Sequence, residues 1–491
     1  MLFRSRALAS GSRDITGVEI NPIIAETIMR ERFPHFSRGI YLRPDVRVVV
    51  EDGRSFVRRS REQYQIIQAT LVDTWASTAA GAFALSENNL YTTEAFKDYL
   101  GRLTPDGLAA FTRWGFDPPR ESLRLISLAI DALKAIGEDE PARHVMVARE
   151  GSVAGWGARD TVMISRRPFT DADIARARQA FVAARAEAVY LPVPDTPANP
   201  FRELLRHPHP RDYQAGYAFD ITPVTDNRPF FFYTVQPRDV WDFVTRQSRA
   251  SADYKINRAV PLLFGLMLIS IVATVVILAL PPVLLRTRLP REKGVLPFLL
   301  YFVCIGAGYI MVEVALIQKF VLFLGHPTYA LTVVIFSMLV SSGLGSYFST
   351  RFVGNEPDDG RMMNLLGLVA ILVALLAFLV TLLGAAVGLP LWVKAPLTAL
   401  MIFPAGFVMG IPFPSGLKRL EAWHQPSVRW AWSLNAASSV LGSVAALICA
   451  IYLGLLQTLL VGGLLYLAAL AVIARGQHSR QPIPSPVLVS R

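Results

Sequence analysis

From residue 258 onward the sequence is a succession of apolar runs, at 259–285, 295–322, 328–350, 363–387, 391–413, 431–453 and 455–474. A bilayer core about 30 Å thick is crossed by about 20 helical residues. Inside it every backbone N–H and C=O must be satisfied without water, which leaves helices as the natural solution. The runs therefore predict an all-α transmembrane bundle of about seven helices over 258–475, in contact with a lipid bilayer. The last two runs are nearly fused, with Gly454 and Gln457 as the only break. Beyond them, 476–491 is rich in Pro and Ser and is expected to be a disordered tail. Composition agrees: 52% of the 491 residues are hydrophobic and mean hydropathy is +0.37, too apolar for a soluble protein of two or three domains. No N-terminal stretch has the basic start and apolar core of a signal peptide, so export by a cleaved signal is not expected. The two cysteines, Cys304 and Cys449, fall in apolar runs, so disulfides play no part in the expected design.

Polar residues inside these runs are expensive. Glu313 lies mid-span, where a charge costs about 2.5–3.5 kcal/mol on insertion scales, so it needs a partner or a water cavity. Lys319 is six residues away, off the same helical face, and snorkels toward the interface. The partner is expected on another helix, with Asn435 as a candidate, giving a membrane polar site of Glu313 and Asn435. Phe403-Pro404-Ala405-Gly406 and Gly410 to Gly416 are expected to break the fifth span. Ser438, Gly442 and Ala446, four residues apart, make a face for close helix packing. Glu313 with a broken helix fits either a structural hydrogen-bond network or a transport pathway. His326 at a tight turn reads as a capping or interface residue, His207 and His209 as an exposed loop, and nothing completes a metal site.

The first half has strand periodicity. Ile15 to Val18 ends at Glu19, Val46 to Val50 leads into Glu51-Asp52-Gly53-Arg54, and Ile66 to Val72 stops at Asp73. Each acid alone would be a solvated strand terminus. Three in series, at spacings that suit successive βα units, read as a nucleoside site, because ligands of open α/β sheets lie outside the carboxyl ends of the strands. Glu19 would hold a ribose diol and Asp52 a base amine.

These residues resemble the spermidine synthase family of aminopropyltransferases, and more broadly the S-adenosylmethionine-dependent methyltransferases of the same fold. Leu85-Ser86-Glu87-Asn88-Asn89-Leu90-Tyr91-Thr92 with Phe96 is similar to that family's loop and helix after the fourth strand, and Leu103-Thr104-Pro105-Asp106-Gly107-Leu108 to its turn into the fifth. Pro223 to Tyr233, Gly325 to Leu331 and Met409 to Pro414 resemble members of the family fused to a multi-helix membrane region. The resemblance implies an α/β Rossmann-like domain over 1–257, with cofactor contacts at Glu19, Asp52 and Gly53 and with Asp73 as the catalytic proton acceptor. The implied donor is S-adenosylmethionine or its decarboxylated form, and the implied acceptor a small amine.

Two departures stand out. The family's first strand and glycine-rich loop are absent, so the Rossmann-like domain reads as N-terminally truncated, and an upstream-extended chain is expected to be the active one. At Asp73-Thr74-Trp75-Ala76, Ala76 replaces the second acid that grips a diamine, which puts the usual polyamine substrate in doubt.

Further along, Ser122 to Ile136 is expected to be a helix, Ala142 to Ala148 and Thr161 to Ser165 late strands, Thr170 to Arg185 a capped helix and Tyr190 to Arg206 a surface loop. The Pro223 to Tyr233 stretch reads as an aromatic plug docking the domain on the membrane, or else as part of substrate binding. Net charge is +11. Basic residues flanking the spans, Arg286, Arg288, Arg291, Lys293, Lys418, Arg419 and Arg429, account for it better than a nucleic-acid partner. Those loops oppose the positive-inside rule if the soluble domain is cytoplasmic, offset in part by Arg246, Arg249, Lys255 and Arg258. The availability of adenosyl donors still favours the cytoplasm. The expectation is a multi-pass protein of a bacterial-type inner (plasma) membrane that alkylates an amine by methyl or aminopropyl transfer. The alternative is a membrane transporter or scaffold whose soluble domain is non-catalytic.

Overall fold

The computed structural model describes residues 7–8, 10–72, 88–154, 157–239, 259–284, 294–354 and 358–478. The chain divides into two compact units, Met1–Leu262 and Leu263–Arg491.

The first unit is α/β. Strand β1 (Ile15–Glu19) is followed by helix α1 (Ile23–Arg32), β2 (Val46–Val50), α2 (Gly53–Arg59) and β3 (Tyr64–Thr70). Then come α3 (Thr93–Arg102), β4 (Leu103–Trp114), α4 (Glu121–Ala135), β5 (Val145–Glu150), β6 (Arg159–Ser165), α5 (Asp171–Ala183), β7 (Glu187–Tyr190), α6 (Pro200–Arg206) and α7 (Pro210–Gly216). The strands form two sheets. β1 and β2 pair in parallel, with Glu19 opposite Val50. The larger sheet has the order β3-β4-β6-β5-β7, parallel between β3 and β4 and antiparallel thereafter. β1 and β3 each end their sheet, and no strand among the described residues pairs with their outer edges.

Several local expectations are refined. The Leu103 to Leu108 turn lies inside β4: Leu103 pairs with Tyr64 and Leu108 with Ile66, so Thr104 to Gly107 bulge out of the ladder. A Cβ on Gly107 would sit 2.8 Å from Leu103 Cβ, so the bulge closes only around glycine. Thr170 caps α5 through a capping box with Asp173. The expected Tyr190 to Arg206 surface loop is corrected. Asn199 caps α6 by accepting from Arg202 N, Pro200 takes its first turn, and Phe201 and Leu204 are buried.

The expected docking plug is corrected too. Phe230, Phe231, Phe232 and Tyr233 are all buried, and Phe231 and Phe232 belong to the first unit's own core with Tyr91, Phe96 and Phe111. Tyr91 lies 4.7 Å from Phe231 by ring centroids.

The second unit is helical: α8 (Ala259–Leu284), α9 (Val295–Leu324), α10 (Pro327–Tyr347), α11 (Asp359–Leu382), α12 (Leu391–Gly410), α13 (Pro412–His424), α14 (Val428–Tyr452) and α15 (Leu455–His478). Among the described residues six stretches are long and apolar enough to cross a membrane, one of them Leu391–Tyr452. The last helix runs to His478, past the expected start of the tail at 476. The Phe403 to Gly406 break does not occur: α12 continues through Pro396 and Pro404 and yields to α13 only after Gly410. Gly454, at φ +109°, separates α14 from α15.

Helix α9 is the hub. It packs on α10, α14 and α15, and small residues set how closely. A Cβ on Gly442 of α14 would stand 2.6 Å from Ile310 and 3.0 Å from Ala307 Cα, and one on Gly308 of α9 would stand 3.0 Å from Gly462 O of α15. Ser438 and Ala446 complete the expected α14 face, both buried. α10 and α12 approach more closely still. A Cβ on Gly345 would overlap the Phe407 carbonyl, and one on Gly410 the Ser342 carbonyl.

Gly345→Ala should therefore force these two backbones apart, at a cost of at least about 1–3 kcal/mol. Gly343, with open space around it, is the control: Gly343→Ala should stay within about 0.5 kcal/mol. Thermal unfolding of the purified variants in detergent reads the difference, and equal melting temperatures would refute the close approach.

Candidate functional site

Two of the expected site acids come together. Glu19 ends β1 and Asp52 follows β2 by two residues, so the parallel register places both at the carboxyl edge of one strand pair. Each has a local structural task. Glu19 Oε1 accepts from Asn21 N at 3.0 Å, and Asp52 Oδ1 accepts from Ser55 N at 2.8 Å as the cap of α2. The second oxygen of each carboxylate takes no hydrogen bond among the described residues. Gly53 opens α2, and a Cβ there would lie 3.7 Å from Leu90 Cδ2, so the 88–92 segment adjoins this edge. Asp73 and Ala76 lie outside the described residues, as do residues 85–87 of the adjacent motif and the basic residues 246–258 and 286–293.

Sequence reading missed the group that ties this edge to the rest of the unit. Arg54, one residue after Gly53, is fully buried. Its Nη1 and Nη2 reach Asp226 Oδ1 and Oδ2 at 2.6 and 2.8 Å, its Nε reaches Asp98 Oδ2 at 3.0 Å, and Nη1 also reaches Asn89 O at 3.1 Å. Thr92, the cap of α3, donates to Asp226 at 2.7 Å, and Asp226 N donates to Glu94 Oε2 at 3.0 Å. Burial alone would lower the Arg54 pKa; the hydrogen bond and charge of Asp226, with Asp98, outweigh it and hold the guanidinium above its ordinary value. Burial, then the Asp226 charge, pushes the Glu94 carboxyl up.

A second group sits past the carboxyl end of β4. Arg124 of α4, also fully buried, donates through Nη1 to the carbonyls of Phe231 at 2.6 Å and Tyr233 at 2.7 Å, and its Nη2 lies 3.2 Å from Asp220 Oδ1. Burial lowers the Arg124 pKa. Burial alone would raise Asp220, but Arg124, Thr222 and Arg228 hold it below the usual carboxylate range. Arg113 donates to Glu121 Oε2 at 2.7 Å, and Arg149 grips Asp160 at 2.6 and 2.9 Å. Arg124, through the Phe231 and Tyr233 carbonyls, and Arg113, whose guanidinium lies 4.8 Å from the Phe232 ring centroid, organise the aromatic run. The sequence signal was present in Asp-Gly-Arg and Thr-Asp-Asn-Arg, but the contact between them spans 172 residues.

In the second unit Glu313 is half-buried on α9. Asn435 is not its partner, a correction to the expected polar pair. It donates to Phe302 O at 3.0 Å, about 16 Å along the helix axis from Glu313. His326 caps α10 by accepting from Thr328 N. No group of His, Cys, Asp and Glu suited to a metal occurs among the described residues. The chain matches no protein-family profile and no curated protein sequence.

Two outcomes test this geometry. Arg54→Met should cost about 3–5 kcal/mol, because it leaves Asp226 and Asp98 facing each other uncompensated. Thermal unfolding measures it, and a loss under about 1 kcal/mol would show the network to be dispensable. Asp220, with its pKa held down in the folded state, contributes stability that is present above the unfolded value near 3.9 and is lost as pH falls through the folded one. Asp220→Asn should be less stable than the parent at pH 7, with the gap narrowing toward pH 3. A constant gap across that range would refute the ion pair.

Proposed function

We propose that this protein is a membrane-anchored transferase of the S-adenosylmethionine type that alkylates an amine. The observation that carries the reading is the register of β1 and β2, which sets Glu19 and Asp52 side by side at the carboxyl edge, each with one carboxylate oxygen unengaged. A ribose diol is held by such an acid, and an adenine amine by the other. The donor set is oxygen-rich and anionic, which suits hydroxyl and amino hydrogens of an adenosyl group.

In the proposed reaction an amine nitrogen attacks the carbon next to the sulfonium sulfur. The carbon–sulfur bond breaks and its electron pair leaves on a neutral thioether. Asp73, three residues beyond β3, takes the proton that the new ammonium loses. The same reading covers methyl and aminopropyl transfer, since the displacement is identical at the reacting atoms.

For the helical unit we propose seven crossings of an inner (plasma) membrane with the first unit on the cytoplasmic side. The stretch Leu391–Tyr452 has 62 residues, about 93 Å as helix. That is three times the hydrocarbon thickness, so it accommodates two crossings, α12 and α14. The exposed charges of α13, Lys418 and Glu421, then lie between them at the interface.

Glu19→Ala should weaken binding of S-adenosylmethionine or its decarboxylated form by about 1.5–3 kcal/mol, the range for hydrogen bonds to charged groups. Titration calorimetry of the purified chain and its variant checks this. Unchanged affinity would remove the ribose assignment and, with it, the adenosyl donor.

A further inference from the structure

Helix α9 carries a carboxylate that no described residue of the second unit neutralises. Glu313 has no hydrogen-bond or ion-pair partner among the described residues, and an intramembrane ionisable group without a structural partner is by default a functional one. Its position on α9 is set by its neighbours one turn back. Tyr309, at i−4, places its hydroxyl 3.2 Å from Ser342 Oγ of α10. Ile310, at i−3, abuts Gly442 of α14. Side chains at i−3 and i−4 flank position i on a helix surface, so Glu313 opens onto the seam between α10 and α14, two helices that both pack along α9 but not along each other.

Among the described residues α10 and α14 bring no compensating charge to the seam. α10 has no charged residue, and the one in α14, Arg429, stands in its first turn. Lys319 is about 9 Å further along α9 and about 120° around it. Polar oxygens do gather there. The Tyr309 and Ser342 hydroxyls share one hydrogen bond in which either can be the donor, and each oxygen keeps acceptor capacity.

We propose that Glu313, Tyr309 and Ser342 form a binding site for a small organic ammonium, taken up in exchange for one proton. A charge left uncompensated in the hydrocarbon region is costly, so in this proposal the empty site holds a proton that an arriving cation replaces. An arriving protonated amine converts Glu313-COOH to the carboxylate, one proton leaves, and the net charge of the site changes only by the exchange of one cation for another. An ammonium has three donors, and the carboxylate, the phenol and the serine hydroxyl supply three acceptors. A hard metal cation asks for six or more oxygens, which this seam does not gather. The ring of Tyr309 adds an attractive face for an alkylammonium. The site stands independently of the transferase reading of the first unit.

Dicyclohexylcarbodiimide, an apolar reagent for protonated carboxyl groups, tests it on the full chain in detergent at pH 7. Peptide mass spectrometry should find Glu313 modified. Methylammonium at about ten times its dissociation constant should reduce the labelling about tenfold, with one proton released per cation bound in weakly buffered solution. Sodium at the same concentration should not protect. Tyr309→Phe and Ser342→Ala should leave Glu313 reactive but raise the methylammonium concentration needed to protect it. The proposal is overturned if Glu313 resists the reagent, if methylammonium gives no protection, if sodium protects equally, or if both variants protect as the parent does. Loss of transferase activity by Glu19→Ala with labelling unchanged would separate failure of one reading from failure of the other.

Discussion

Arg54 cannot be buried alone, and much of the first unit follows from that. A guanidinium without water must place its donors in a fixed fork against acceptors. Here they come from three segments: Asp98 and the Asn89 carbonyl around α3, and Asp226 from the chain following α7. Because Arg54 lies two residues after the Asp52 cap, the network also fixes where α2 begins, and so where Asp52 points. The acid proposed to read adenine is aimed by a buried ion pair two residues further along the chain. Thr92 joins both systems, capping α3 through Ala95 N while donating to Asp226.

Arg124 does the same for the far side of α4. Its donors collect the carbonyls of Phe231 and Tyr233, groups that would otherwise lie unpaired in an aromatic core. This explains why four consecutive aromatic residues sit inside the unit. From sequence, Phe230 to Tyr233 looks like a surface that needs a membrane, because hydrophobicity alone does not say which apolar phase a segment enters. The arginine that satisfies its backbone lies 107 residues earlier, at Arg124 for Phe231. Burial depends on that distant partner.

The legible parts of this chain are those governed by local rules. Period, length and strand-end acids place β1, β2, β3 and the apolar helices, and Thr170 announces the capping box of α5. Where two local signals conflict, the reading errs. Proline density over 190–206 argues for a loop, yet Asn199 followed by Pro200 is a helix start, and Phe201 and Leu204 then give the buried face. Pro404 argues for a break, yet proline removes only one helical donor, and α12 runs through it packed against α10. Glu313 was visible as a cost, but its surroundings were not, since Tyr309 and Ser342 meet only after α9 and α10 fold back on each other.

That fold-back also decides which helices enclose Glu313. Gly345 and Gly410 let α10 and α12 touch backbone to backbone, with Gly406 against the Ser341 side chain, which draws α10 to one side of α9. On the other side Gly442 holds α14 close against Ile310 and Ala307, and Ser438 lies against Gly306. In lipid there is no hydrophobic driving force between helices, and packing of small residues substitutes for it. Each of these contacts pulls a flanking helix toward a partner other than its opposite across the seam. α10 is drawn toward α12 and α14 toward α9, so the strip of α9 that bears Tyr309 and Glu313 is left only partly covered. A bundle packed only for stability would set an apolar residue there. Keeping a carboxylate in that strip costs insertion free energy that no partner among the described residues offsets, and a ligand bearing positive charge is the compensation proposed for it.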